Sequence, residues 1–133
     1  LRKTALGHLD IMGYTLDGMQ KIARRGCYLE LDTFGHLFTP YVTGGRIMNF
    51  PSDGQRIETV LTLVEKGYLE HLLLSQDTFL KELMTRFGGP GYAHLLRDIM
   101  PVLHARGLSR EQTGTLFTKN PARFLQFSGK TGT

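Results

Sequence analysis

The sequence predicts an α/β fold built on a parallel sheet of barrel type. Three observations lead there. Short apolar, strand-like segments alternate with amphipathic helical ones, the order that gives parallel strands joined by right-handed crossovers. Connections after the strands are long and those after the helices are short, as in barrels whose working loops follow the strands. Each strand-like segment also carries a histidine or an acid at or near its carboxyl end: His8, Asp32 and Asp77.

Thr4-Ala5-Leu6-Gly7-His8-Leu9 is the first expected strand. From Thr15 the spacing turns helical, with Leu16, Met19, Ile22 and Ala23 on one face. Arg24 and Arg25 suit the last turn of that helix and Gly26 its stop. Cys27 to Asp32 is the second strand, and a long loop from Thr33 to Pro51 follows it. Loops of that length in a compact domain are usually functional or disordered. Ser52 and Gln55 fit a capping box that opens a helix with Ile57, Val60, Leu61 and Val64 on its buried stripe.

The third strand is expected at about Glu70 to Ser75, an apolar run that stops at Asp77. A glycine-rich loop, Phe87 to His94, leads into a helix over about Tyr92 to Arg106, buried through Leu95, Leu96, Ile99, Val102 and Leu103. Pro101 predicts a kink or break near Asp98 to Met100, because proline lacks the amide proton and crowds the preceding turn. Ser109 and Gln112 form a second capping box, and Asn120-Pro121 predicts a further N-cap with proline behind it. Residues 1–127 therefore read as one unit, and 128–133 as a flexible polar tail.

Composition narrows the function classes. The 133 residues are 41% hydrophobic and 21% charged, which suits an ordinary soluble globular domain. No apolar run approaches the ~20 residues that span a bilayer, and no signal-peptide pattern opens the chain. The single cysteine excludes an intramolecular disulfide and points to a reducing, cytoplasmic setting. The net charge of +4 is scattered. Nucleic-acid binding would need a clustered patch and a reading motif, and the sequence has neither. Gly129-Lys130-Thr131 looks like the end of a phosphate loop, but Phe124 stands where that motif needs glycine.

His8 and Asp77 lie at equivalent strand ends of βα units, so both point to one rim. An imidazole nitrogen and a carboxylate oxygen are zinc-type ligands. A carboxylate there can also take a proton from metal-bound water. Each has a plainer alternative: a structural histidine, and a capping or loop acid. Asp32 reads as a group that orients a neighbour, with Glu30 on the same strand face. Asp10 is a candidate supporting contact, and His36 is a candidate to face substrate from the long loop. His94 suits capping or packing, His71 and His104 suit the surface, and Cys27 suits a buried thiol.

Several stretches together carry a family resemblance. They are Gly7-His8-Leu9-Asp10, Gly26 to Gly35 (with Leu29-Glu30-Leu31-Asp32 at its centre), Pro51 to Ile57, Leu74-Ser75-Gln76-Asp77, Gly88 to His94, and Asn120-Pro121-Ala122-Arg123. The chain resembles the carboxyl-terminal part of the phosphotriesterase family, in the amidohydrolase superfamily, and is similar above all to its phosphotriesterase-related and lactonase-like branch. The resemblance implies a (β/α)8 TIM barrel, with this chain at about strands 6–8. It implies two divalent metals, usually zinc, at the carboxyl rim. His8 then corresponds to a metal-binding histidine. Asp77 corresponds to the aspartate that binds metal and accepts a proton, which makes it the expected catalytic residue. The loop from Thr33 to Pro51 corresponds to a substrate-facing loop, and a small-molecule phosphotriester, lactone or related ester is the expected substrate.

The sequence also departs from the family pattern. It has no His-x-His, and no counterpart of the bridging lysine or of the histidine on the fifth strand. Ile11 and Thr33 replace the proton-relay pair of the organophosphate-hydrolysing members, which argues against efficient phosphotriester hydrolysis. Pro90 stands where many relatives have histidine or another polar residue. A full barrel takes ~250 residues, and three strands leave two unpaired edges. The expectation is a fragment of a metal-dependent hydrolase, inactive as an isolated chain and needing an amino-terminal half-barrel. The alternative is a non-catalytic half-barrel or assembly partner, paired with a separate half or with a copy of itself as a homo-oligomer. A third reading is a different amidohydrolase branch with an ester or amide substrate.

Overall fold

The computed structural model describes residues 1, 3–36, 38 and 40–127. The tail expected at 128–133 lies outside them. The chain runs through β1 (Ala5–Leu6), α1 (Leu16–Arg24), β2 (Tyr28–Leu31), β3 (Tyr41–Thr43), β4 (Arg46–Met48), α2 (Asp53–Glu65) and β5 (Leu72–Leu74). After β5 come two short 3₁₀ turns, Lys81–Leu83 and Thr85–Phe87. A helical stretch from Leu95 then ends in α3 (Met100–Ala105), and another joins α4 (Arg110–Gly114) to α5 (Asn120–Leu125).

β1, β2 and β5 form a parallel sheet in that order, with Leu29 paired to Leu72 and Leu31 to Leu74. Parallel strands need crossovers, and α1 and α2 supply them. All three strands are shorter than the sequence predicts. Gly7 and His8 leave the ladder after Leu6, and residues Leu69–His71 form a 3₁₀ turn before β5. The pairing nevertheless extends at the carboxyl ends, where the Leu9 amide donates to the Glu30 carbonyl at 3.3 Å and the Ser75 amide to the Leu31 carbonyl at 3.1 Å.

The core lies between the sheet and the helices. Leu29, Leu31, Leu63, Leu72 and Leu103 are fully buried there, each contributing about 1.5–3 kcal/mol of burial. That layer outweighs exposed ion pairs such as Lys21–Asp17, which contribute about 0–1 kcal/mol. Cys27 is buried, as expected for a structural thiol.

Both capping boxes form. Ser52 accepts from the Gln55 amide and Gln55 reaches back to Ser52, and Ser109 and Gln112 do the same. α1 starts at Thr15, whose hydroxyl accepts from the Gly18 amide.

Several local expectations need correction. Leu96 and Val102, expected on the buried face of the helix that ends at Arg106, are exposed. The long loop is not irregular throughout: β3 and β4 form an antiparallel hairpin over a Gly44-Gly45 turn. Pro101 distorts its helix close to the expected place but does not break it. Residues Leu95–Ile99 widen into a π-helical turn just before it, which relieves the clash that proline imposes on the preceding turn. Thr115–Lys119 does the same ahead of Pro121.

Asn120 is therefore not an N-cap. Its backbone is helical, at φ −65° and ψ −50°, whereas a cap residue is extended. Its fully buried side chain instead donates to the carbonyls of Leu69 at 2.8 Å and Leu72 at 2.9 Å, tying the last helix to β5.

Candidate active site

The parallel order places the carboxyl ends of β1, β2 and β5 side by side, and with them His8, Asp32 and Asp77. Among the described residues, only two that are not glycine have positive φ: His8 at 57° and Asp77 at 40°. Left-handed backbone is disfavoured for side chains other than glycine, and such residues concentrate at functional sites. Here they are the two candidates drawn from the strand-end argument.

The turn at His8 sends Leu9 into the core and leaves the imidazole half-exposed on the rim. Asp32 holds it from below. The Asp32 carboxylate accepts from the His8 backbone amide at 3.1 Å and meets the ring Nδ1 at 2.9 Å. That contact orients the ring and leaves Nε2 as the outward nitrogen, the arrangement expected of a metal-binding histidine supported by a carboxylate. Gly7 permits this approach. A Cβ on it would stand 3.0 Å from Asp32 Oδ2 and 3.4 Å from Glu30 Oε2.

Charge is concentrated here. Burial opposes the charged imidazole of His8, yet the Asp32 hydrogen bond and the charges of Asp32, Asp77 and Asp10 together hold its pKa above the ordinary value. Glu30 is raised above the usual carboxylate range, first by burial and then by Asp32, with His8 opposing. The rim is thus an acidic cluster around one imidazole. A cation placed there would relieve repulsion.

Asp10 and His36 do other work than the sequence suggests. Asp10 turns away from His8 toward Arg56, whose side chain is 0% exposed. Arg56 Nε donates to Asp10 at 2.9 Å, one terminal nitrogen to Asp53 at 2.9 Å, and the other to the Thr33 hydroxyl at 2.8 Å. The Thr33 hydroxyl in turn donates to Asp10. Asp53 also accepts from the Gly35 amide and meets His94, which contacts Asp98 through its other nitrogen. One buried guanidinium therefore ties together the loops after β1 and β2 and the start of α2. His36, the candidate to face substrate, is 1% exposed and points inward.

His71 and His104 are partly buried rather than free on the surface. His71 meets the Cys27 carbonyl, and His104 the Thr113 hydroxyl. Arg56 is absent from the sequence-based candidates. Its signal was present, since it lies four residues before Val60 on the buried stripe of α2.

The outer part of the long loop borders a cleft of about 390 Å³, whose walls include Ile11, Met12, Ile47, Phe50, Arg46 and Gln55. The inner part of the loop does not line it: Thr33, Phe34 and His36 are buried.

The donors His8 and Asp77 fit a zinc-type site in kind, and the carboxylate behind His8 fits the support such a ligand needs. They do not fit it in number. Among the described residues no group of three or more His, Cys, Asp or Glu side chains is placed to hold a metal ion.

A parallel sheet of βα units, with its strand-end loops gathered on one carboxyl rim, is a portion of an α/β barrel. The comparisons agree, and the chain belongs to the phosphotriesterase family, whose family model matches residues 1–125. It is 36% identical over 126 residues to a phosphotriesterase-related protein of Drosophila willistoni, covering 95% of this chain and 36% of that one. It is 34% identical over 127 residues to an N-acetyltaurine hydrolase of Danio rerio, covering 96% and 36%. Among solved structures, a resiniferatoxin-binding protein from Rhodobacter sphaeroides superposes with a TM-score of 0.84 at 36% identity, over 93% of this chain and 34% of that one. The chain thus spans about a third of the length of the relatives it matches.

Proposed function

We propose that this chain is the carboxyl-terminal portion of a metal-dependent hydrolase, in which His8 and Asp77 hold divalent metal, zinc by the chemistry of the donors. The observation that carries this reading is the left-handed backbone at His8 and Asp77 and nowhere else among the described non-glycine residues. Bound metal would polarise the scissile group and make a coordinated water acidic. His8 contributes Nε2, with Nδ1 fixed by Asp32. Asp77 would contribute a carboxylate oxygen to the metal and would be the group placed to accept a proton from water. The further ligands would come from an amino-terminal half-barrel beyond this chain. β1 and β5 each have one strand neighbour among the described residues, which favours such a completion. We place the protein in the cytoplasm as part of this reading.

Carbonyl substrates suit the site better than phosphotriesters. Ile11 brings no ionisable group, and the Thr33 hydroxyl is engaged by Asp10 and Arg56, so neither position supplies a free proton relay. A lactone, an aliphatic ester and an N-acyl amide are the substrate classes to try first. The last is suggested by the N-acetyltaurine hydrolase relative. The test measures metal content and hydrolysis of these three, with an aryl phosphotriester beside them, using the complete protein and its Asp77→Asn variant. Carbonyl hydrolysis that the variant loses, together with bound metal, is the expected result. Wild-type turnover in a well-folded Asp77→Asn protein would overturn the assignment.

A further inference from the structure

We propose that His36 is the positioning residue for Asp77. It rests on the reading above that Asp77 works at the rim, and it concerns what holds Asp77 there. The His36 ring is buried against Phe38, Phe50 and Phe79, with ring centroids 5.1, 6.2 and 5.8 Å away. From that aromatic box Nε2 points at two backbone oxygens, those of Gln76 at 2.7 Å and Asp77 at 3.1 Å. Carbonyl oxygens only accept, so Nε2 carries the proton and donates to both. The peptides it grips are those that enter and leave the left-handed residue, at φ 40°.

A single left-handed residue with a side chain costs about 1–3 kcal/mol and persists only where its surroundings over-determine it. At His8 the surroundings are Asp32, which takes the backbone amide and the ring together. At Asp77 they are His36. Both holders belong to the same short segment after β2, residues 32–36. That segment is fastened by Arg56 through the Thr33 hydroxyl and the His36 carbonyl. The loop after the central strand is therefore a template that fixes the two rim residues on its flanks, one through a carboxylate and one through an imidazole. Gln76 adds a tether on the far side, its amide donating to the Gly91 carbonyl.

The test separates the clamp from a substrate contact. His36→Phe keeps a ring in the aromatic box and removes the donor; His36→Gln keeps an N–H at the length of Nε2. In metal-free protein, His36→Phe should shift the backbone carbonyl resonances of Gln76 and Asp77, and His36→Gln should restore them. In the complete metal-loaded protein His36→Phe should lower kcat by about a hundredfold with KM held within about twofold, and His36→Gln should recover most of it. Unmoved Gln76 and Asp77 signals overturn the clamp whatever the kinetics show, as does a rise in KM alone. Moved signals with unchanged turnover leave the clamp standing and remove Asp77 from catalysis. If His36→Phe does not fold, nitrogen-15 spectra of the wild-type histidines decide: a proton on Nε2 supports the clamp, and a proton on Nδ1 alone refutes it.

Discussion

Replacing Arg56 with methionine tests how the rim is held together. Methionine keeps most of the aliphatic volume, so the lost quantity is the guanidinium. Asp10 would then be left 3% exposed with only the Thr33 amide and hydroxyl as partners. Asp53 would keep the Gly35 amide and His94. Breaking a buried ion pair on one side costs about 3–5 kcal/mol, because the remaining charge stays out of water. Asp10 is the partner that stays buried, so its pair with Arg56 dominates. Urea unfolding at neutral pH should therefore show a loss of about 3–5 kcal/mol with little change in slope. Adding Asp10→Asn to the Arg56→Met background should cost far less than it does alone, with a coupling of about 1–3 kcal/mol. A loss below about 1 kcal/mol, with no coupling, would show that the pair behaves as a solvated surface contact. The account of Arg56 as the fastener of the rim loops would then fail.

Other perturbations probe single features. Ser52→Ala removes one half of the α2 capping box and should cost about 0.5–2 kcal/mol of stability in thermal unfolding; an unchanged Tm would show that the cap bonds are idle. Asn120→Ala removes the side-chain donor from the Leu69 and Leu72 carbonyls, of which Leu69 still accepts from the Leu72 amide, and should cost about 1–3 kcal/mol, with faster amide exchange at β5 and not at β1. The Arg97 guanidinium, and after it His94, hold the Asp98 carboxyl well below its ordinary range. A depressed carboxyl stabilises the fold above its unfolded pKa of about 3.9 and loses that contribution as pH falls toward the lower folded value. Asp98→Asn should therefore flatten the acid limb of stability below about pH 4, and an acid limb of wild-type steepness would argue that Asp98 carries none of it.

Periodicity and punctuation carried most of the architecture. The βαβαβ order, both capping boxes and the positions of α1 and α2 follow from local rules that depend on a few neighbouring residues. Strand lengths were less legible, because Gly7-His8 and Leu69–His71 depart from the ladder for reasons that lie across the sheet. The fates of Pro101 and Asn120 were also hidden. Each depends on how a long helical stretch redistributes strain and on what β5 offers as acceptors.

At the rim, residue type at a strand end was enough to pick out His8, Asp32 and Asp77. It could not show that His36 turns inward, since a histidine in a polar, aromatic loop has no periodic partner to fix its direction. The Arg56 network joins residues 10, 33, 53 and 56. Its members are scattered in sequence and meet only once the βα units are stacked.

The wide turns before Pro101 and Pro121 have a consequence for the phase of the helices that contain them. In a regular helix of 3.6 residues per turn, each step of four residues overshoots a full turn by about 40°. A buried series spaced strictly by four would spiral off the core within three steps. Leu95, Ile99 and Leu103 are spaced in that way and all three are buried. The looser π turn under-rotates, and so offsets the overshoot of the tighter α turn that follows it. Leu116 and Asn120, again four apart, end up facing β5 across the second such turn. Each proline thereby works as a phase corrector, holding a stride of four residues in line with the sheet beneath it.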